Sequence, residues 1–411
     1  MHAFSKIEFQ ESMKKIFSMA NIRISARFLG LLVHKRTYIK SVVEGIEFNV
    51  DGRYDVKHVI GSGAYGVVAV AYDKELKCNV AIKKVDELTS HPIHAKRILR
   101  EVKILRHLKG HVGIVDVIDI FPENGDKFDA VYIICELMLS DLHKVIQSST
   151  IFTREHYHYF TYQLLCGLKT IHAANIYHRD IKPANLLVNK DCTTKITDFN
   201  LARGVGCRNT QMTEYVVTRW YRAPEIIIFG DCYDEKVDVF SVGCILAELH
   251  LRKPVFRGSD SRDQIRLYLK HIGAPEEEDR KFIENKHAKK FVDGIAEEME
   301  GGNRLSKAER LRKLSPGICK MGLDLLCKLL EFNPEKRITV DEALAHPYFK
   351  HVRDPSLEDK CKNVRQFDFS FEECLDSPEK IRKSFIAESE SFQRLHRLER
   401  REIVSPGSRL S

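Results

Sequence analysis

Hydrophobic and polar positions alternate along Tyr54–Ile60, Val67–Tyr72 and Val80–Val85, with glycines and charged turn residues between the runs. A period of two over such short runs predicts three strands joined by turns. The pattern then changes. From His94 to Leu108 apolar positions recur every three or four residues, which predicts a helix, and Ala130–Cys135 is an unbroken apolar run that reads as a further strand. From Leu137 to Phe349 the period is mainly helical. Within it Val237–Leu249 is apolar nearly all round, as suits a helix buried on every side. A small, mostly β unit followed by a larger α unit, an α+β fold, is the expected architecture.

Length agrees, because 411 residues exceed what one compact core usually holds. No apolar tract approaches bilayer thickness, and the run Phe28–Val33 near the start lacks a small-residue cleavage site, so neither a membrane segment nor a secretory signal is expected. The net charge of +8 is mild and partly sits in the first 45 residues and in Arg394–Glu402. No basic stripe interleaved with aromatics accompanies it, which argues against a nucleic-acid partner. The eleven cysteines are scattered and never spaced CxxC, so reduced thiols in cytoplasm and nucleus are expected, with no disulfide framework or zinc site. Residues 1–47 form a basic, weakly amphipathic extension. A targeting peptide is the alternative there, opposed by the two glutamates between Lys6 and Lys15.

Candidate chemistry gathers at four places. In "IGSGAYGVVAVA", Gly61, Gly63 and Gly66 lie between two predicted strands, where missing Cβ atoms would let backbone N–H groups approach phosphate oxygens. A tight hairpin turn is the plainer reading of three such glycines alone. Second, Lys83 in "VAIKK" precedes a helix in which Ile98, Glu101, Leu105 and Leu108 share one face. A carboxylate on an apolar stripe is costly unless paired, and Lys83 is the expected partner of Glu101. Third, "YHRDIKPANLL" sets Asp180, Lys182 and Asn185 within six residues: a base, a cation and a metal-binding amide. Phosphoryl transfer asks chiefly for positioning and charge neutralisation, which these types supply. Fourth, Asp198 follows a strand-like Lys195–Thr197 and is placed to hold Mg²⁺.

In this order and at these separations the motifs resemble those of eukaryotic protein kinases, together with Asp198–Phe199 and Ala223–Glu225. The resemblance implies the bilobal kinase fold, with a β-rich N-lobe carrying one regulatory helix over residues 48–136 and an α-helical C-lobe over 137–349. It also implies ATP and Mg²⁺. ATP would be held by Ile60, Gly61, Ser62, Gly63, Ala64, Tyr65, Gly66, Val68, Ala81 and Lys83, and by the hinge Glu136–Met138 beside Cys135. Asp180 would accept the substrate proton, Lys182 would steady the phosphoryl group, and Asn185 with Asp198 would hold the metal. Asp238 would be bonded by backbone amides of the catalytic loop.

"TEYVVTRWYRAPE" is further similar to the activation lip of mitogen-activated protein kinases, the extracellular-signal-regulated branch, and "SVGCILAEL", "FNPEKRITVDEALAHPYF" and "RDPSLED" continue the likeness from about residue 47 to 395. It implies a proline-directed serine/threonine kinase switched on by phosphate on Thr213 and Tyr215. Arg97, Arg100, Arg179 and Arg203 would converge on the phosphothreonine, and Arg219 and Arg222 on the phosphotyrosine. The implied partners are an upstream dual-specificity kinase, phosphatases, and protein substrates bearing Ser-Pro or Thr-Pro sites. Basic docking motifs of such partners would meet Asp354, Glu358 and Asp359 in an extension over 350–395, ahead of a flexible tail at 396–411. An insert at about 273–314 is charged and diverged.

Three positions depart from that pattern. Asn200 stands where the segment after the metal aspartate normally has glycine, so a positive φ is expected there, which asparagine tolerates. Leu357 replaces an acid of the docking patch, and Val217 is bulkier than the usual alanine. Two alternatives follow: a nucleotide-binding scaffold weakened by Asn200, opposed by the intact Lys83, Asp180, Asn185 and Asp198, and a cyclin-dependent relative, opposed by Tyr215 and the extension "QFDFSFEE".

Overall fold

The computed structural model describes residues 36–63, 66–88, 91–123, 128–204, 219–228, 233–300 and 305–404. Ala64, Tyr65, Thr213, Tyr215 and Val217 lie outside the described residues. Two compact units form, one from the described residues up to Lys109 with Val115–Met138 and Ser370 onward, the other from Gly110–Ile114 and Leu139–Phe369.

In the first unit the alternating runs become strands, as their pattern predicts. Strands β1 (Tyr38–Val43) and β2 (Ile46–Asp51) form a hairpin. Next come β3 (Tyr54–Gly63), β4 (Gly66–Asp73) and β5 (Cys78–Val85), then helix α1 (Pro92–His107), β6 (Val117–Pro122) and β7 (Val131–Glu136). The five strands from β3 onward make one antiparallel sheet in the order β3-β4-β5-β7-β6. Its two faces have different tasks. Ala69, Ala71, Val80, Ile82, Tyr132 and Ile134 pack with Phe48, Val50, Tyr54 and Phe121 in a closed core. By register Val68 lies opposite Lys83 and Ala81 opposite Cys135, which puts these four on the other face.

The hairpin crosses the expected boundary at residue 47. Phe48 and Val50 are buried, but Ile39 and Val42 of β1 stand 49% and 70% exposed, so alternation in β1 marks no buried face for the sequence to display. The C-terminal segment also divides differently from the expected 350–395 extension and 396–411 tail. Residues to Phe369 belong with the second unit, and a helix spanning Pro378–Val404 belongs with the first. Lys103 Nζ of α1 donates to Glu388 Oε1 of that helix at 2.6 Å, and Arg382 Nε donates to the Phe128 carbonyl at 3.0 Å.

The second unit holds α2 (Leu142–Gln147), α3 (Arg154–Ala173), α4 (Pro224–Ile228), α5 (Lys236–Leu251) and α6 (Ser261–Ile272). It continues through α7 (Lys286–Glu300), α8 (Lys307–Leu314), α9 (Lys320–Leu329), α10 (Val340–Leu344) and α11 (Pro355–Lys360). The helix expected to be buried all round is so: every residue of α5 from Val237 to Leu249 is buried. Helices α8 and α10 start at reciprocal caps, Ser306 with Glu309 and Thr339 with Glu342, each satisfying two otherwise unpaired N–H groups. Short strands β8 (Ser140–Asp141), β9 (Ile176–Tyr177), β10 (Leu186–Val188), β11 (Thr194–Ile196) and β12 (Arg203–Gly204) frame the loops that carry the acidic chemistry.

Candidate active site

Lys83 and Glu101 meet in the first unit. Lys83 Nζ donates to both carboxylate oxygens of Glu101, at 2.9 and 2.8 Å, and the Glu101 side chain is almost fully buried. The stripe that carries Glu101 faces inward, with Ile98, Leu105 and Leu108 all buried, so a cation is needed to keep that charge inside. The glycines of the preceding turn separate into two kinds. A Cβ on Gly66 would sit 2.0 Å from the Lys84 carbonyl oxygen at a φ of +120°, so the hairpin itself demands glycine there. Around Gly61 and Gly63 a Cβ would meet nothing within 4 Å, and neither has a positive φ. The fold does not require glycine at these two, and room for an approaching group is the remaining reason for it. Ile60 is exposed beside them, and Glu136 Oε1 at the strand end accepts from the Asp116 N–H at 2.7 Å.

In the second unit three expected residues converge. Strands β10 and β11 pair antiparallel with Leu186 opposite Ile196, which brings Asn185 and Asp198 to the same end of a hairpin. The Thr197 N–H donates to the Asn185 carbonyl at 3.0 Å and fastens that end. Asn185 Nδ2 then donates to the Asp180 carbonyl at 2.9 Å and to Asp180 Oδ2 at 3.1 Å, while Lys182 Nζ donates to the same Oδ2 at 2.6 Å. Burial pushes the Asp180 carboxyl above its ordinary value, partly offset by Lys182 and reinforced by the nearby charge of Asp198.

Asp238 supports this loop as expected. Fully buried at the start of α5, it accepts the His178 N–H and the Arg179 N–H, each at 2.8 Å. Burial alone would raise its carboxyl, but the bonds from His172 and the backbone hold it below the usual range. His178 Nε2 donates to the Thr197 carbonyl at 3.0 Å, joining the loop to the strand before Asp198. Glu225 is likewise buried and takes Arg337 through two bonds of 2.6 and 3.0 Å.

The donor set suits a divalent cation. Asp198 Oδ1 is buried with no hydrogen-bond partner among the described residues, and the bonds of Asn185 use its amide nitrogen, leaving its oxygen as a donor. Asp198 also adopts the left-handed conformation, φ 66° and ψ 66°, a non-glycine strain of about 1–3 kcal/mol of the sort concentrated at functional sites.

Three expectations need correction. Asn200 does not have a positive φ: it is buried in the short 3₁₀ turn Phe199–Leu201, and the unusual backbone falls on Asp198 instead. Arg100 is almost fully buried and held bidentate by Glu372, with Nη2 to Oε2 at 2.7 Å, so a lip phosphate would reach it only by displacing that carboxylate. Glu358 is not presented to a docking peptide. It turns inward, where Arg353 Nε donates to it at 2.8 Å and the Tyr162 hydroxyl at 3.1 Å. Asp354 caps α11 through the Ser356 N–H at 2.9 Å, and Asp359 remains exposed beside Lys362. Among the other arginines, Arg203 pairs through its backbone with Tyr177, Arg179 lies over the Tyr233 ring, and Arg219 donates to the Ser259 carbonyl at 2.6 Å. Arg97 is half-buried on α1, and the Arg222 carbonyl accepts from the Tyr268 hydroxyl at 2.6 Å.

Glu388 was not among the expected residues, although its signal is present. Ile381, Phe385, Glu388 and Phe392 are spaced four, three and four apart and all are buried, the same carboxylate-on-a-stripe pattern that marks Glu101. Among the described residues no helix is long and apolar enough to cross a membrane.

Comparison with known proteins agrees with this geometry. The protein kinase domain family matches residues 54–349. Mitogen-activated protein kinase 2 of Arabidopsis thaliana is 46% identical over 310 residues, covering 75% of this chain and 80% of the relative. Extracellular signal-regulated kinase 1 of Dictyostelium discoideum is 44% identical over 336 residues, 81% of this chain and 61% of that longer protein. Mitogen-activated protein kinase 4a of Physcomitrium patens is 43% identical over 347 residues, with coverage of 84% and 89%.

Proposed function

Because the chain belongs to the mitogen-activated protein kinase family and is a serine/threonine protein kinase with ATP as substrate, we propose that it phosphorylates Ser or Thr followed by proline, after dual phosphorylation of its own Thr213 and Tyr215. The observation that carries the chemistry is the sharing of Asp180 Oδ2 by Lys182 and Asn185 beside an Asp198 oxygen with no hydrogen-bond partner among the described residues. Asp180 takes the proton of the substrate hydroxyl as its oxygen attacks the γ-phosphorus. Lys182, held 2.6 Å from Asp180, keeps a positive charge beside the transferring group. Lys83, positioned by Glu101, binds the ATP phosphates. Asn185 and Asp198 would hold Mg²⁺, which when bound neutralises charge on the phosphates.

Upstream dual-specificity kinases and phosphatases are the regulatory partners this reading implies. Substrates with basic docking motifs would meet Asp359 and the outer face of Asp354, without Glu358. The test is phosphate transfer to a short Ser-Pro peptide and its Ser-Ala counterpart by the lip-phosphorylated protein. A preference for Ser-Pro of about 10–200-fold in kcat/KM is expected, the range open to one small pocket contact. Equal rates on both would overturn proline direction.

Asn200 does not favour the scaffold alternative, since it sits in a short 3₁₀ turn without a positive φ and leaves Lys83, Asp180, Asn185 and Asp198 intact. Replacing it by glycine adds backbone freedom worth about 0.5–1 kcal/mol against the observed turn. Asn200→Gly is therefore expected to change kcat by less than about tenfold. Conversion of an inert protein into a fast kinase by that substitution would make asparagine the disabling residue.

A further inference from the structure

Two thiols lie together in the second unit, one on α3 and the other at the end of α11, apart from the catalytic loop. Helix α3 presents Tyr162, Cys166 and Thr170 on one face, four residues apart, and α11 with its C-terminal cap lies along that face. Tyr162 fastens one end: its hydroxyl accepts from the Asp354 N–H at 2.8 Å and donates to Glu358 at 3.1 Å. At the other end is Cys361, which closes α11 and donates its S–H to the Leu357 carbonyl at 3.2 Å. The thiols of Cys166 and Cys361 lie close enough to perturb each other's ionisation, and both are unbridged and buried.

The environments of the two differ. The bond from Cys166 above all, with Thr170 and the Lys169 ammonium adding to it, pulls the Cys361 thiol down to about 7 against the effect of burial. Cys166, the donor, is pushed up. Cys361 is thus the more readily deprotonated of the two, the division of labour between an attacking and a resolving cysteine.

We infer that Cys166 and Cys361 form a reversible oxidation site in which peroxide converts the pair to a disulfide tying α11 to α3. The Cys361 sulfur attacks one oxygen of hydrogen peroxide. The O–O bond breaks, hydroxide leaves and is protonated to water, and Cys361 becomes a sulfenic acid. The Cys166 sulfur then attacks the Cys361 sulfur. An S–S bond forms, the S–O bond breaks, and hydroxide leaves with the Cys166 proton as a second water. Two thiols and one peroxide give one disulfide and two waters, the sulfurs losing the two electrons that the peroxide gains. Burial makes the reaction slow, but the pre-set contact gives the intermediate a partner at once.

The experiment is peptide mapping of the full chain after hydrogen peroxide treatment, with the exposed Cys78 reporting that oxidant was delivered. A linked Cys166–Cys361 peptide, about 2 Da lighter than the sum of its reduced parts and lost on thiol reduction, is expected. The oxidised protein should also melt about 2–4 °C higher, since the bridge closes a long loop of the chain. In Cys166→Ser the intermediate should stop at a Cys361 sulfenic acid, captured by a 1,3-dione probe, and kinase activity of the untreated variant should match the parent. Oxidation of Cys78 without any linked Cys166–Cys361 peptide in the folded parent protein would overturn the inference, whatever the variant does.

Discussion

Asp180→Asn is expected to lower kcat by about 10²–10⁴-fold, with little change in the affinity for ATP. The substitution keeps the size of the side chain and an oxygen for Lys182 and Asn185 to donate to, and removes the negative charge and with it the capacity to take a proton. Stability separates this loss from misfolding. The folded-state carboxyl of Asp180 lies above its unfolded value because it is buried, with Lys182 compensating only in part. A raised carboxyl contributes stability below the unfolded pKa of about 4, and that contribution is lost as pH rises through the folded value. At pH 7 the ionised group is therefore a net cost, so the amide variant should melt no lower than the parent. The rate should show the reverse dependence. The base works when deprotonated, so the parent's kcat falls as pH drops through a limb displaced upward from the ordinary aspartate value, and the variant's residual rate lacks that limb. Comparable turnover in Asp180→Asn, or a collapse of its melting temperature at pH 7, would remove the assigned role.

Much of this site was legible because its chemistry is local. Asp180, Lys182 and Asn185 lie within one loop, and the hairpin that brings Asp198 to them is short. Glu101 was legible through the three-to-four-residue spacing of its apolar neighbours, which implies a buried face and hence a cation. The charge of Asp238 inside an all-apolar helix likewise implied backbone donors, and they are His178 and Arg179. What stayed hidden depends on distant segments or on a backbone angle. Glu372 lies 272 positions from Arg100, and no periodicity in either segment announces the pair. Glu358 was given a docking role through the likeness of "RDPSLED", while Arg353 and Tyr162, which draw it inward, lie 5 and 196 positions away. The glycine-to-asparagine change at 200 suggested backbone strain there, yet the αL residue is Asp198, two positions earlier. Residue identity shows what a position tolerates, and the surrounding hydrogen bonds decide which neighbour carries the unusual angle.

Phosphate on Thr213 and Tyr215 is expected to raise kcat/KM on a Ser-Pro peptide by about 10²-fold, and Thr213→Ala combined with Tyr215→Phe to abolish the increase. The magnitude follows from what a phosphate offers. Each carries close to two negative charges and makes about one to three charge-assisted hydrogen bonds, each contributing roughly 1.5–3 kcal/mol. Moving a population from about 1% to about 99% active needs a differential near 5.5 kcal/mol, within reach of two such groups. The second unit holds two of the arginines expected to meet the phosphothreonine, Arg179 and Arg203. Arg203 begins β12 opposite Tyr177, only two residues from Arg179, whose backbone is fixed by Asp238. Both guanidinium groups are permanently charged and can bind a phosphate through paired N–H donors. In the first unit Arg100 is already held by Glu372, so a phosphate must displace that carboxylate to use it. Glu372→Gln therefore separates two routes to activation. If Arg100 joins the phosphate, the variant should reach half-maximal activity at lower lip occupancy than the parent, as measured by mass spectrometry paired with peptide turnover. If Arg100 stays with residue 372 throughout, the two curves superimpose, and the switch rests on Arg97, Arg179 and Arg203. Full activity of the unphosphorylated double variant would show that the lip is not the control point at all.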